Sequence, residues 1–372
     1  MFPRETVPAG PVVLRELTAG DADAIVRACA DPEIVRFLPA LPVPYTRDDA
    51  FAFLKSSERE WEAGGATFAV ADPGTGAWLG NVGLKPPGPR GGVEIGYLIA
   101  PWARGRGAAT AAARALTEWA FAHGTHRVEL LAEVENLASQ RVALAAGFAH
   151  EGMRRGDHPM RDGSRGDLVS FARLRADSGE RVRPYLPPLP GGSLSDGVVR
   201  LTPLTAADAA DRLALESLPD VMEHHVPPEV PDPAENETFC REAGMRWLAG
   251  SRAELVIRDA AGGAFAGSIQ LAMILPPLGQ AMTGYSLRPE FRGRGFATRA
   301  VNLLVEWAFT HTGLARIVAG TDPGNTASHR VLERAGFTRD AVLHGFLPGP
   351  GGVRRDDLQW YRLRPGGGQP GF

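Results

Sequence analysis

The chain has 372 residues, 44% hydrophobic and 22% charged, with a formal net charge of -3. That length exceeds the size at which one hydrophobic core usually stops growing, so two domains are expected, and the composition excludes disordered and fibrous classes. No run of like charge supports DNA binding, no apolar run approaches the ~20 residues of a membrane span, and Cys29 and Cys240 are too few for a disulfide framework or a cysteine-rich metal site.

The amino terminus, "MFPRETVPAGPVVLREL", lacks the basic and apolar regions of a signal peptide, so a cytoplasmic location is expected. In chain order, a strand is predicted over 12–17, then polar, proline-interrupted helical stretches from 21 to about 63. "FAVADPGTGAWLGNVGL" reads as two strands around a Gly-bearing turn at 72–76, and another strand is expected near Val93. A glycine-rich turn, "WARGRGAAT", leads into a helix over 110–123, where Ala112, Leu116, Trp119 and Ala120 recur at helical spacing. The sequence 128–134 alternates as a strand, and a short helix from about Leu137 ends at Gly147, a natural left-handed cap. A mixed α/β sheet with covering helices is expected.

The same order then repeats. "EIGYLIAPWARGRGAATAAARALTEWAF" aligns without a gap to "MTGYSLRPEFRGRGFATRAVNLLVEWAF", 188 residues later, and "NLASQRVALAAGF" matches "NTASHRVLERAGF" after one inserted residue. "RVRPYLPPLPGGSLSDG", 181–197, is rich in proline and glycine and is expected to be a linker between domains 1–180 and 198–372. The chain reads as a duplicated domain.

A strand, a turn of small residues and a helix start place several unpaired backbone N–H groups and a helix dipole at one spot. That spot suits an anion. Gly105 and Gly107 leave the backbone accessible, and Arg104 and Arg106 add attraction; equally, the glycines could simply shape the corner. No lysine stands in either turn, as a nucleoside-triphosphate loop requires, and Thr110 and Thr298 occupy the place of a dinucleotide turn's third glycine.

With R-x-x-G-x-A after "GYLIAPW" or "GYSLRPE", and "NLASQRVALAAGF" or "NTASHRVLERAGF" following, the chain resembles the Gcn5-related N-acetyltransferase superfamily, in particular its ribosomal-protein-alanine acetyltransferase branch. The resemblance is specific over some 55 residues of each half and weaker over the first 65. It implies two tandem domains of that fold, each with a mixed, mainly antiparallel sheet flanked by helices. It also implies acetyl-coenzyme A or another acyl-CoA as cosubstrate, with no metal. The coenzyme pyrophosphate would lie on Arg104, Gly105, Arg106, Gly107, Ala108, Ala109 and Thr110, or on Arg292, Gly293, Arg294, Gly295, Phe296, Ala297 and Thr298. The preceding strand, including Leu98 and Ile99 or Ser286 and Leu287, would hydrogen-bond the pantetheine arm through its backbone.

Acyl transfer to an amine needs a neutral nitrogen. A lysine-like amine falls short of this at pH 7 by about 3.4 pH units, or about 4.6 kcal/mol, so a base is worth having. Glu94 is the candidate base, two residues before Gly96; it could also be an exposed strand-end carboxylate. The second copy has Met282 there, so its site needs another base or does no chemistry. Ser139 and Ser328 are implied to contact the coenzyme sulfur or pantetheine, or are helix-start hydroxyls. Asn136 and Asn325 could be helix N-caps as readily as pantetheine ligands. The tyrosine that protonates the thiolate in many members is replaced by Ala143 and Leu332. His224 and His225 are adjacent and read as acceptor-pocket or surface residues, and Trp119 and Trp307 as core.

The expected function is transfer of an acetyl or related acyl group to a small-molecule or peptide amine, the amino-terminal site carrying the chemistry. Two alternatives stay open: another acyl donor, such as a carrier-protein thioester or aminoacyl-tRNA, or a domain that binds coenzyme without turnover. No DNA or membrane partner is expected.

Overall fold

The computed structural model describes residues 2–88, 91–224, 226, 229–349 and 352–366. Contacts divide the chain into two units, Met1–Arg183 and Pro184–Phe372.

The first unit opens with a hairpin of β1 (Val7–Ala9) and β2 (Val12–Arg15), so the opening strand ends two residues before the expected 17. Three helices follow, α1 (Ala22–Cys29), α2 (Pro32–Phe37) and α3 (Arg47–Glu62). Their starts are written in the sequence. Asp31 caps α2 ahead of Pro32, and Thr46 with Asp49 forms a reciprocal capping box at α3. Next come β3 (Ala66–Ala71), β4 (Trp78–Leu84) and β5 (Val93–Ile99), then α4 (Ala108–Ala122), β6 (Arg127–Glu133) and α5 (Leu137–Ala145). Gly147 ends α5 with φ 89°, the left-handed cap expected there. A long hairpin, β7 (Ala149–Pro159) and β8 (Arg165–Leu174), closes the unit.

These strands form one sheet in the order β1-β2-β3-β4-β5-β6-β8-β7. Every pairing is antiparallel except β5 with β6. Because side chains alternate along a strand, Glu94, Gly96 and Leu98 share one face of β5, while Val93, Ile95 and Tyr97 share the other. Leu98 packs with Ile25, Ala28 and Trp78, which fixes the first face as the side of α1–α3. Helix α4 lies against the opposite face, where Val93 and Ile95 are buried.

The second unit repeats this plan with β9 (Leu194–Ser195), β10 (Val199–Pro203), α6 (Ala209–Glu216), α7 (Pro219–Met222) and α8 (Pro233–Leu248). It continues through β11 (Ala253–Asp259), β12 (Phe265–Leu275), β13 (Gln280–Leu287), α9 (Phe296–His311), β14 (Arg316–Thr321), α10 (Thr326–Arg334), β15 (Thr338–Pro348) and β16 (Arg354–Leu363). The sheet order is β15-β16-β14-β13-β12-β11-β10-β9, with β13 and β14 the parallel pair. Ala281 and Ile317 join Ala300, Val301 and Leu304 of α9 in one core, so Met282 and Val318 face the other way, toward α6–α8.

The stretch 181–197, read from sequence as a linker, is not a free connection along its length. Leu186 and Leu189 are buried in the second core, and the Trp247 indole N–H donates to the carbonyls of Leu186 and Pro187, both at 3.2 Å. Apolar residues spaced between the prolines give the segment something to bury, and that outweighs its extended character. Trp119, Trp307, Cys29 and Cys240 are all buried. Among the described residues no helix is long and apolar enough to cross a membrane.

Candidate active site

Two features meet at the carboxyl end of β5. The first is a divergence of strands. β5 pairs with β6 only over Val93, Glu94 and Ile95, whereas its pairing with β4 continues to Ile99. The edge of Gly96, Tyr97, Leu98 and Ile99 that faces β6 is thereby left open. β13 behaves likewise: it pairs with β14 over Gln280, Ala281 and Met282, and with β12 out to Ser286 and Leu287.

The second feature is the turn into α4. Gly105 and Gly107 have φ 75° and 77°, and Gly293 and Gly295 have 70° and 79°, a region that only glycine enters without strain. Gly107 and Gly295 stand at the N-cap positions of α4 and α9 and offer no side-chain cap. The N–H groups of Gly105, Arg106, Gly107, Ala108, Ala109 and Thr110 have no acceptor among the described residues, and neither do those of Gly293, Arg294, Gly295, Phe296, Ala297 and Thr298. Six consecutive free donors at a helix start form an anion cradle in each copy.

The arginines divide their work differently from expectation. Arg104 does not point its charge freely at that cradle: it donates to Asp31 at 2.8 Å and to the Ile99 carbonyl at 3.4 Å. Arg292 repeats this brace with Asp220 and, at 3.0 Å, the Leu287 carbonyl. Asp31, the N-cap of α2, and Asp220, the second residue of α7, neutralise the motif arginines, which therefore hold the turn's shape. Arg294 lies over the rings of Phe291 and Phe296, whereas Arg106 is exposed beside the cradle.

Asn136 and Asn325 cap α5 and α10, each accepting from the serine N–H three residues on at 3.0 Å. This is the N-cap alternative. Ser139 is half-buried, and its hydroxyl lies 2.8 Å from that of Tyr97, which also donates to the Ser139 carbonyl at 3.1 Å. Tyr285 donates to the Ser328 carbonyl at 3.4 Å. Burial pushes the Tyr97 phenol far above its usual range and the Tyr285 phenol to about 12. Both therefore stay protonated as donors. Ala143 and Leu332, where a tyrosine was missed in the sequence, are buried core residues. Tyr97 and Tyr285 reach these serines from the strand, and the repeated "GY" before each turn was their sequence signal.

Glu94 sits on the α1–α3 face in the closed part of the β5–β6 pair, beside Glu129, and ion-pairs with Lys85 at 2.6 Å. It lines a cleft of about 850 Å³ together with Glu129, Glu151, Arg127 and Arg154. Four residues along β6 from Glu129, at the open end, Glu133 lies 3.1 Å from His158 of β7. Burial raises the Glu133 carboxyl, with His158 opposing that shift. Sequence reading passed over this pair because its partners lie 25 positions apart in strands of unrelated pattern. His224 is exposed in a turn after α7, and His225 lies outside the described residues. Among the described residues no cluster of three His, Cys, Asp or Glu side chains could hold a metal ion.

A family model described as an acetyltransferase (GNAT) domain matches residues 12–149 and again 199–338. The probable N-acetyltransferase YjcK of Bacillus subtilis (strain 168) is 42% identical over 77 residues, which is 20% of this chain and 42% of that protein. The match thus spans less than half the length of such curated relatives. Among solved structures, Mycobacterium smegmatis RimJ in complex with CoA-disulfide is 26% identical, covering 46% of this chain and 86% of its own, with TM-score 0.41. The ribosomal-protein-S5-alanine acetyltransferase of Vibrio fischeri is 20% identical, covering 47% of this chain and 97% of its own, with TM-score 0.43. Two matches of one domain model, covering most of the residues in order, place the chain in the acetyltransferase (GNAT) family, with one copy in each half.

Proposed function

We propose that each domain binds an acyl-coenzyme A and that the chain transfers the acyl group, acetyl in the simplest case, to a primary amine by direct attack on the thioester. The observation that carries this reading is the run of six unpaired N–H groups beside a strand edge opened over four residues, present in both copies. A diphosphate suits the first, and an amide-bearing arm suits the second as an added strand.

In this reading the amino-terminal site carries the reaction, with Glu94 accepting the amine's proton. Lys85, its ion-pair partner, lies on the exposed loop and leaves the carboxylate when an ammonium replaces it. Ser139, held by Tyr97, gives the leaving thiolate its proton in this reading. A second reading gives the base's role to Glu133 with His158, favoured by their place at the open end of the strand pair and by the raised Glu133 carboxyl. Thiol release from acetyl-coenzyme A with a panel of amines tests both. Glu94→Gln is expected to lower kcat by about 10² with coenzyme affinity unchanged. If Glu133→Gln alone has that effect, the second reading holds.

A further inference from the structure

The second copy keeps an acid, Asp322, where Glu133 stands, but lacks Glu94 and the histidine beside Glu133. Met282 stands where Glu94 does, and Leu347 where His158 does. On the same face of the sheet, however, Asp357 of β16 is 2% exposed, and no basic side chain among the described residues pairs with it. Gln359 donates to its Oδ2, while its Oδ1 has no hydrogen-bond partner.

The carboxylate rests against Gly320 of β14. A Cβ on Gly320 would fall 2.7 and 2.8 Å from its two oxygens, so any side chain there would expel it. The corresponding residues of the first copy are Leu131 and Leu168. The exchange is reciprocal: an acid is lost from β13, another appears on β16, and a side chain is deleted from β14 between them. Gly320 lies two residues beyond Val318, the last residue of β14 to pair with β13, so Asp357 sits across β14 from the end at which those two strands part. Two other carboxylates buried on this side have partners: Glu254 of β11, two strands from the opening, is clasped by Arg252, and Glu216 at the end of α6 accepts from the Ser268 hydroxyl of β12 at 3.3 Å.

We propose that Asp357 is the proton acceptor of the second domain's site, binding the ammonium of a primary-amine acceptor and making that domain a working transferase. The proposal rests on the reading that this domain binds acyl-coenzyme A. The ammonium gives one proton to Asp357, and the freed lone pair forms the C–N bond at the thioester carbonyl carbon. The C–S bond breaks with its electron pair on sulfur. The nitrogen's second proton ends on that thiolate, and Asp357 returns its own to water. Burial, opposed by the Gln359 and Thr321 hydrogen bonds and aided by Asp322, raises the Asp357 carboxyl, which strengthens it as a base.

The test uses the full chain carrying Gly107→Asp, which sets a carboxylate over the first cradle and silences that site. Acetyl-coenzyme A binding is followed by calorimetry, and thiol release is followed with glycinamide, protonated in part at pH 7, and with hydroxylamine, already neutral. Adding Asp357→Asn is expected to lower the glycinamide reaction about 10²-fold while leaving coenzyme affinity and the hydroxylamine reaction unchanged. Asp357→Glu restores part of the loss, and Gly320→Leu reproduces it without removing a charge. Retained glycinamide transfer in Asp357→Asn, equal loss with both nucleophiles, or coenzyme binding without any transfer before Asp357 is changed would each overturn the proposal. Absence of coenzyme binding in the Gly107→Asp chain would overturn the underlying reading of this domain instead, and the proposal with it.

Discussion

Tyr97 is the residue whose role changes most between sequence and structure. The sequence singles out only the backbone of its strand, yet its hydroxyl meets that of Ser139 across 42 residues of chain. Nothing local encodes that meeting; it follows from β5 and α5 converging at the strand opening. Tyr97→Phe keeps the ring and removes the bond, and is expected to lower kcat about fivefold, the equivalent of about 1 kcal/mol, without changing the KM for acetyl-coenzyme A. Steady-state kinetics checks the split. A structural residue offers a second test. Asp21, 5% exposed, takes two hydrogen bonds from Arg15 and one from the Thr18 N–H. Burial alone would raise its carboxyl, but those bonds outweigh it and hold the pKa below the ordinary 3.8. Its stabilisation is therefore complete above pH 3.8 and is lost as pH falls through the depressed value. Asp21→Asn should cost about 2 kcal/mol at pH 7, and the gap from the parent should narrow as pH falls below 3.8, as read by urea unfolding.

At the scale of elements, the capping signals and the glycine turns were legible because each is a local demand of backbone geometry. Asn136→Ala and Asn325→Ala should each cost about 1 kcal/mol in thermal or urea unfolding, since each removes one N-cap acceptor. Gly107→Ala meets open space, with nothing within 4 Å of the added Cβ, so its cost comes from φ 77° alone. About 1 kcal/mol of stability is expected to be lost, with coenzyme affinity falling further because the methyl stands over the cradle. The β7–β8 hairpin was illegible. "AHEGMRRGDHP" carries glycines and charges on both sides of the alternation, and the strand is held by pairing with β8 instead of by an apolar stripe of its own. The motif arginines were legible as residues but not as braces, because Asp31 and Asp220 lie some 70 positions away.

For the whole molecule, the duplication was readable because the anion cradle and the helix behind it admit few substitutions, and both copies keep them. The faces toward α1–α3 and α6–α8 have diverged, and there sequence reading could name a missing acid at Met282 but not its replacement. Asp357 acquires meaning only when β16 is laid beside Gly320. The central claim is that two cradles of free backbone amides each hold the diphosphate of a coenzyme A, and calorimetric titration of the full chain with coenzyme A tests it most directly. The account predicts two sites per chain, one lost with Gly107→Asp, one with Gly295→Asp, and both with the pair. A folded parent chain that takes up no coenzyme A, or a doubly substituted chain that binds as the parent does, would contradict it.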